Sequence, residues 1–250
     1  KNLQLSYDYK EIENDLLATR SKFVGGIIQY ALEQDNYIGE HMRRTSNYTE
    51  LLARQLQSGG KYASTITNEY KTILCQVAPL HDAGKILFAP KTTHQFSSKA
   101  EHEGLPSDGP SSHEHVISGA KLIDRFFINN PNDLFYSLAK EVTLYHHEWW
   151  DGSGYPKGLS GKEIPLGARI VSLANEFDSL TAKRPYTVPY SFAEAYTTIL
   201  SYSGKQFDPE VVDAFKKARK EFLEMYNQVT KQNDTLENIK RENHNRMENI

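Results

Sequence analysis

The segment from Tyr145 to Pro156 concentrates side chains that can do chemistry, and it reads YHHEWWDGSGYP. His146 and His147 are adjacent and stand beside the carboxylate of Glu148. Adjacent histidines are poor core residues, because each buried imidazole must find hydrogen-bond partners. A histidine pair at a helix end that opens into a glycine-rich turn suits metal binding. The alternative, from this stretch alone, is a polar helix end at the surface.

Five histidines and one aspartate form a candidate set of metal ligands along the chain. They are His41, His81, Asp82, His115, His146 and His147. Each belongs to a helical or helix-end segment, and helices can direct such side chains toward a shared site inside a bundle. Imidazole and carboxylate ligands suit ions such as iron, manganese, zinc or nickel. Any single histidine is better explained as a surface or hydrogen-bonded residue, so the prediction depends on the whole set.

The elements that must position these side chains are helices. Apolar residues recur at helical spacing over residues 10–34, 39–58, 65–77, 113–129, 132–147, 166–182, 192–202 and 209–226. Pro79 breaks the third pattern, and a short turn of helix opens at His81 and Asp82. Alternation typical of a strand is confined to residues 3–9. We therefore expect an all-α fold, a single domain of about seven or eight helices.

Two segments depart from the helical pattern. Residues 87–112 are roughly half Gly, Pro, Ser and Thr, which predicts a long irregular loop. This loop carries His94 and His102, with His113 just beyond it. These histidines can cap the site, recruit an additional metal or be solvated. Residues 228–250 form a polar tail, which we expect to be a frayed or partner-dependent helix, with a coiled coil as the alternative.

The composition, with 38% hydrophobic and 24% charged residues, is ordinary for a soluble globular protein. A net charge of -3 argues against a broad basic surface, so no polymeric nucleic acid is expected as a partner. The single Cys75 excludes an internal disulfide and fits a reducing cytoplasm. No membrane span or signal peptide is evident, so we expect a cytoplasmic location, or the cytoplasmic part of a membrane-linked protein. The chain starts at Lys1 rather than Met, so we expect a fragment of a longer protein.

Longer motifs surround the candidate ligands. They are EHMRRTSNY (40–48), HDAGK (81–85), His115 with Gly119-Ala120, HHEWWDGSGYP (146–156), GLSGKEIPLGARIVSLANEFDSLTAKRPY (158–186) and GKQFDPEVVDAF (204–215). Together, over about residues 20–220, they resemble the HD-GYP family of the HD phosphohydrolase superfamily. The resemblance implies a phosphodiesterase that opens cyclic di-GMP, a bacterial second messenger, to linear pGpG and/or GMP. It also implies a linker helix at 1–35 from an upstream sensory or receiver domain, an HD-GYP domain at 36–227 and the polar tail or helix at 228–250. Helices at both ends make a homodimer plausible.

The resemblance assigns the metal ligands by position. His41, His81 and Asp82 would bind a first metal, and Asp82 would bridge to a second. His115 and His146 would complete the second site. His147 would serve a third metal in members that have one.

The resemblance also assigns substrate contacts. Lys85 matches a lysine at the scissile phosphate, Tyr155 a tyrosine near the guanine base, and Arg184 an arginine near the phosphates. Lys85 can stabilise developing charge or protonate the leaving oxygen, the alternative being an exposed lysine. A guanidinium fork fits a phosphate, and an aromatic face accepts a purine. A pair of divalent cations would activate water and screen the phosphate charge.

Three positions depart from the family pattern. Asn175 replaces the final ligand aspartate, so the first metal should bind more weakly, because an amide brings no charge. Asp178, one turn later, matches a different family position. Tyr37 replaces a glutamate that is present in three-metal members, so we expect two divalent ions rather than three. We expect these ions to be Fe or Mn, with Zn or Ni as alternatives. Thr187 replaces a basic residue.

These departures leave a second hypothesis open. The chain would then be a degenerate signalling module that binds the nucleotide or a protein partner with little or no turnover. The unusual loop at 87–112 also leaves room for another cyclic dinucleotide as substrate.

Overall fold

The computed structural model describes residues 2–88, 113–127, 132–183 and 188–248, and these ranges are mainly helical. Their α-helices are α1 (Asn2–Gln34), α2 (Asn36–Ser58), α3 (Asn68–Val77), α4 (Ala83–Phe88), α5 (Glu114–Phe126), α6 (Leu134–Tyr145), α7 (Leu166–Thr181), α8 (Phe192–Ser201), α9 (Pro209–Lys217) and α10 (Arg219–Glu248). Two 3₁₀ helices cover Ala78–Asp82 and Gly161–Glu163. Within the described ranges, β structure is limited to an isolated bridge between Ser203 and Phe207. The all-α prediction is confirmed.

Helix boundaries differ from the predicted ones at both ends of the chain. α1 begins at Asn2, so residues 3–9 are helical rather than extended. A lone extended segment would lack a neighbouring strand for its backbone hydrogen bonds, whereas a helix satisfies them internally. The predicted helix at 209–226 is two helices, separated at Ala218, where no Gly or Pro marks the break. α10 then continues through the polar tail to Glu248.

The predicted loop is outside the described residues except for its first two positions, which end α4. The His94 and His102 predictions fall in the same undescribed stretch.

The main core contains an aromatic cluster between α2, α7, α9 and α10. Its four central rings are Tyr48, Phe177, Phe215 and Phe222, all fully buried. The Phe222 ring centroid lies 4.7 Å from that of Phe215, 5.0 Å from that of Phe177 and 5.2 Å from that of Tyr48. This cluster joins the first turn of α10 to the centre of the bundle.

The second half of α1 packs on the bundle. Val24 and Ala31 are buried, and the Phe23 ring contacts Phe127 with centroids 5.1 Å apart. Asp35 ends α1 and caps α2, because its carboxylate accepts a hydrogen bond from the Tyr37 amide. The domain boundary near residue 35 stays a prediction.

Among the described helices, none is long and apolar enough to cross a bilayer.

Replacing Phe222 by alanine should lower the free energy of unfolding by about 3–5 kcal/mol, because it removes a buried ring from the cluster. Urea denaturation followed by circular dichroism measures this loss. Lys220→Ala, on the exposed side of the same helix, is the control and should change stability by less than about 0.5 kcal/mol. Equal stabilities for the two variants would show that α10 does not complete the core.

Candidate metal centre

The structure brings the six predicted ligand residues together in two groups that share one carboxylate. The first group is His41, His81 and Asp82, and the second is Asp82, His115, His146 and His147. Within each group the candidate ligand atoms lie within 4.8 Å of one another. All six side chains are buried except His147, which is half-buried. Residues that are up to 106 positions apart in the sequence therefore share one interior site.

The 3₁₀ helix at Ala78–Asp82 places the shared carboxylate. Pro79 stands in its first turn, where a proline needs no backbone donor, and His81 and Asp82 end it. This short helix packs against α2, α5 and α6, the elements that carry or precede the remaining histidines. The Thr143 hydroxyl of α6 donates a hydrogen bond to the Leu80 carbonyl at 3.1 Å. Asp82 is thereby fixed at the meeting point of both groups.

Two glycines allow α4 and α5 to approach closely beside the site. A Cβ atom on Gly84 would stand 2.0 Å from the backbone oxygen of His115, which is far inside a steric clash. A Cβ atom on Gly119 would stand 2.6 Å from Cγ2 of Thr143 and 3.2 Å from the backbone nitrogen of Gly84. Glycine at both positions lets the backbones meet. This contact brings His115 to Asp82.

Hydrogen bonds at Nδ1 orient three of the histidines. His81 Nδ1 donates to the Ala78 carbonyl at 2.8 Å, and His146 Nδ1 donates to the Val142 carbonyl at 2.9 Å. His41 Nδ1 donates to Oδ2 of Asp178 at 2.7 Å. A proton on Nδ1 leaves a lone pair on Nε2 of the neutral ring. The three Nε2 atoms that face Asp82 are therefore prepared to bind a cation.

The spacing of the donor atoms fits cations in both groups. His41 Nε2 and His81 Nε2 are 3.3 Å apart, and they lie 3.7 and 3.4 Å from Oδ2 of Asp82. In the second group, His115 Nε2 and His146 Nε2 lie 3.5 and 3.7 Å from Oδ1 of Asp82. Two ligand atoms that are each about 2.1 Å from one ion stand roughly 3.0–3.6 Å apart for angles of about 90–120° at the ion, so the observed spacings are at or just above the range for bound ligands.

Buried nitrogen atoms also support a metal centre. The Nε2 atoms of His115, His146 and His147 are inaccessible to solvent and make no hydrogen bond within the described part of the chain. Buried polar atoms without a partner are rare and costly in folded proteins. Bound cations would satisfy all three atoms. The residues present thus fit a metal centre.

The electrostatics of the site favour the protonation states that a metal needs. Burial lowers the pKa of His115, His146 and His147 well below the ordinary value, so these rings are neutral at pH 7. Burial acts to raise the pKa of Asp82, but Lys85 and His81 outweigh it and hold that pKa well below its usual range. A neutral imidazole and an ionised carboxylate are the forms that bind a cation.

The family model of the HD domain matches residues 27–211, which include both ligand groups. The chain belongs to the HD domain family.

Named relatives of this HD domain are phosphodiesterases. A cyclic di-GMP phosphodiesterase of Vibrio cholerae is 32% identical over 219 residues, covering 84% of this chain and 42% of the relative. A cyclic di-GMP phosphodiesterase of Thermotoga maritima is 38% identical over 161 residues, covering 64% of this chain and 41% of the relative. The chain therefore spans less than half the length of these relatives. They confirm the HD-GYP resemblance of the motifs.

One solved structure supports the fold of the HD domain. A crystal structure of a cyclic GMP-AMP-specific phosphodiesterase of Vibrio cholerae matches with a TM-score of 0.56 at 20% identity. The match covers 84% of this chain and 53% of that chain. It concerns the helical architecture alone.

Two of the three predicted substrate contacts lie at the metal centre of this HD domain, and the third is outside the described residues. Lys85 Nζ lies 3.1 Å from the Asp82 carboxylate, at the edge of the metal centre. Tyr155 stacks on His147 with centroids 4.7 Å apart and on the exposed His113 with centroids 4.1 Å apart. His113 therefore lies against the Tyr155 ring, and a capping role for it stays a prediction. Arg184, like Thr187, lies outside the described residues.

Glu148 stabilises the loop that follows the histidine pair, a role that was not predicted from the sequence. Its side chain points away from the ligands and accepts hydrogen bonds from the backbone amides of Lys157 at 2.7 Å and Leu159 at 2.9 Å. The Tyr155 amide also donates to the His147 carbonyl at 3.1 Å. A Cβ atom on Gly154 would be 2.2 Å from the Trp149 nitrogen, so this close return of the loop needs glycine. Together these contacts hold Tyr155 against the histidines.

Arg44 and Asp178 were not predicted from the sequence as functional residues. The two side chains form an ion pair, with Arg44 Nε donating to Asp178 Oδ1 at 2.6 Å. Burial acts to raise the pKa of Asp178, but Arg44 and His41 together lower it to about 2. The partners are 134 positions apart, so no local pattern could have paired them. Asn175, the predicted ligand, lies half-buried one turn before Asp178 on α7.

Replacing Gly84 by alanine should destabilise the protein by at least about 2 kcal/mol and lower its metal content, because the added methyl group separates α4 from α5. Thermal unfolding and metal analysis of the purified variant measure the two effects. Gly25→Ala, in α1, is a matched control with open space around the new atom. It should stabilise the helix by up to about 1 kcal/mol and leave the metal content unchanged. Normal metal content in Gly84→Ala would contradict the close-contact argument.

Proposed function

We propose that this chain is a metal-dependent phosphodiesterase that hydrolyses cyclic di-GMP to linear pGpG and/or GMP. The observation that carries the proposal is the pair of ligand groups that share Asp82, with the ammonium group of Lys85 beside them. The relatives named as cyclic di-GMP phosphodiesterases support the substrate. Because one relative structure is named for cyclic GMP-AMP, that dinucleotide is the comparison substrate for any assay.

The metal ligands would divide between two divalent ions, Fe or Mn, with Zn or Ni as alternatives. His41, His81 and Asp82 would hold the first ion, together with the amide oxygen of Asn175. Asp82 would also hold the second ion, together with the three ligands His115, His146 and His147. Such ions supply Lewis-acid activation of water and neutralise phosphate charge. The position of His147 within the second group, and of Tyr37 against the His41 ring, favours two ions over three.

The remaining side chains would bind and orient the substrate. Lys85, now paired with Asp82, would turn to a phosphate oxygen and stabilise charge on it during cleavage. Arg184 would contribute a bidentate contact to a phosphate. Tyr155 would receive a purine base, and the base would contact or displace the exposed His113 that now covers the ring.

A second candidate function is a signalling module that binds the dinucleotide without turnover. Asn175 favours it, because the first ligand group then carries the single negative charge of Asp82. An upstream sensory or receiver domain, a homodimer and a cytoplasmic location stay predictions for either function.

Purified protein incubated with cyclic di-GMP and Mn²⁺ or Fe²⁺ should release pGpG or GMP, which liquid chromatography resolves. Asp82→Asn should lower the rate by about 10³-fold or more, because loss of the shared charge removes several kcal/mol of stabilisation. Lys217→Gln, on the surface of α9, is a control that should keep the full rate. Nucleotide binding without product at any metal loading would support the module instead. Faster cleavage of cyclic GMP-AMP would reassign the substrate.

Asn175→Asp should raise both the metal content and the turnover, because it restores a charge to the first ligand group. The expected gain in affinity for Mn²⁺ is at least about 10-fold, which corresponds to about 1.4 kcal/mol of added attraction from the charge. Asn227→Asp adds the same charge on the exposed side of α10 and should change neither quantity. If the two variants behave alike, Asn175 is not what limits the centre.

A further inference from the structure

A buried ion pair joins α2 to α7 directly behind the first ligand group. Arg44 Nε donates to Oδ1 of Asp178 at 2.6 Å, and Arg44 Nη2 donates to Oδ2 at 3.0 Å. The same Oδ2 accepts the hydrogen bond from His41 Nδ1 at 2.7 Å. The side chain of Asp178 is 1% exposed and that of Arg44 13%. One carboxylate is thus clamped by a two-pronged arginine while it holds a ligand histidine.

We propose that Arg44 and Asp178 are positioning residues for the first metal ion, and that they act through His41. Asp178 holds the proton on His41 Nδ1, which directs the lone pair of Nε2 toward His81 and Asp82. Arg44 fixes the carboxylate in the plane that this hydrogen bond requires. The inference rests on the metal centre of the proposed function and concerns metal affinity.

The geometry gives Asp178 this indirect role and no direct one. Oδ1 is occupied by Arg44 Nε, and Oδ2 is shared between Arg44 Nη2 and His41 Nδ1. His41 Nε2, at the opposite edge of the imidazole, faces the Asp82 carboxylate. The imidazole ring therefore separates Asp178 from the other two members of the group. Partners of this kind typically change metal affinity by about 10- to 100-fold when they are removed.

His41 differs from two other ligands in what orients it. His81 and His146 donate to backbone carbonyls, which a substitution cannot remove. The partner of His41 is a side chain on another helix. Movement of α2 against α7 would therefore alter the first group selectively. Because of this hydrogen bond between helices, the affinity for the first ion is the one that depends on Asp178.

A second buried ion pair provides a matched control. Arg169 Nη1 donates to Oδ2 of Asp208 at 2.5 Å, with side chains 9% and 0% exposed. Asp208 also caps α9 through the Glu210 amide, so its loss costs stability. Neither residue belongs to the two ligand groups. Asp208→Asn thus tests general destabilisation without a change to His41.

The test is calorimetric titration of metal-free protein with Mn²⁺ alone, together with thermal unfolding. Asp178→Asn should weaken one of the two sites by about 10- to 100-fold and leave the other within about threefold. Asp208→Asn should lower Tm but leave both affinities unchanged. The proposal fails if Asp178→Asn binds both ions as the unmodified chain does. It also fails if Asp208→Asn weakens the same site equally.

A second variant covers the case in which Asp178→Asn does not fold, since it leaves Arg44 buried without its counter-charge. Arg44→Met combined with Asp178→Leu replaces the pair by apolar side chains of similar size, which often preserves stability. It should show the same selective loss at one site. Adding this double replacement to His41→Ala should cause little further loss at that site, because the pair acts only through His41. A full additional loss would overturn the proposal.

The titration also separates this inference from the proposed function. If the chain binds two Mn²⁺ ions but does not cleave cyclic di-GMP, the proposed enzymatic function is refuted. The titration then still tests whether Asp178 controls the affinity for one of the two ions. A chain that binds no Mn²⁺ would refute both.

Discussion

The buried carboxylate of Asp82 is the constraint on which the rest of the site depends. An ionised carboxylate is costly to bury unless opposite charge or hydrogen-bond donors surround it. Here Lys85 lies at 3.1 Å, and His41, His81, His115 and His146 turn their Nε2 atoms toward the carboxylate or toward each other. Within the described residues, the Nε2 atoms of His115 and His146 make no hydrogen bond although they lie 3.5 and 3.7 Å from the carboxylate, so imidazole and carboxylate both offer lone pairs there. Cations between them would resolve that conflict, which explains why the arrangement suits metals.

The direction of the imidazoles is set from outside the site. Backbone carbonyls hold His81 and His146, and the carboxylate of Asp178 holds His41. Each contact places the proton on the outer nitrogen and leaves the inner one available. Because carbonyls of neighbouring turns are as rigid as the helices themselves, the ligands are oriented before any ion arrives. Preorganisation of this kind avoids the loss of side-chain freedom on binding.

α7 links the metal centre to the hydrophobic core. Phe177 packs in the aromatic cluster with Phe215 and Phe222, and the next residue, Asp178, holds His41. Successive residues on a helix point about a quarter-turn apart, so one short segment serves both a core and a polar site. The apolar cluster supplies the stability that a buried polar site lacks, and it holds α2 and α7 in a fixed relation.

Much of the fold and of the site follows from local sequence patterns. Helical periodicity predicted α2, α3, α5, α6, α7 and α8 to within a few residues. Residue type, helical context and the HD-GYP resemblance named the six ligand residues that converge. Such patterns depend on contacts between near neighbours, which the sequence records directly. Four features were not predicted: the break at Ala218, the helical start of α1, the Arg44–Asp178 pair and the loop contacts of Glu148. The Arg44–Asp178 pair depends on which helices pack side by side. The sequence by itself determined which side chains could bind a metal, whereas the tertiary structure decided how their lone pairs are aimed, because distant residues become partners only when the chain has folded.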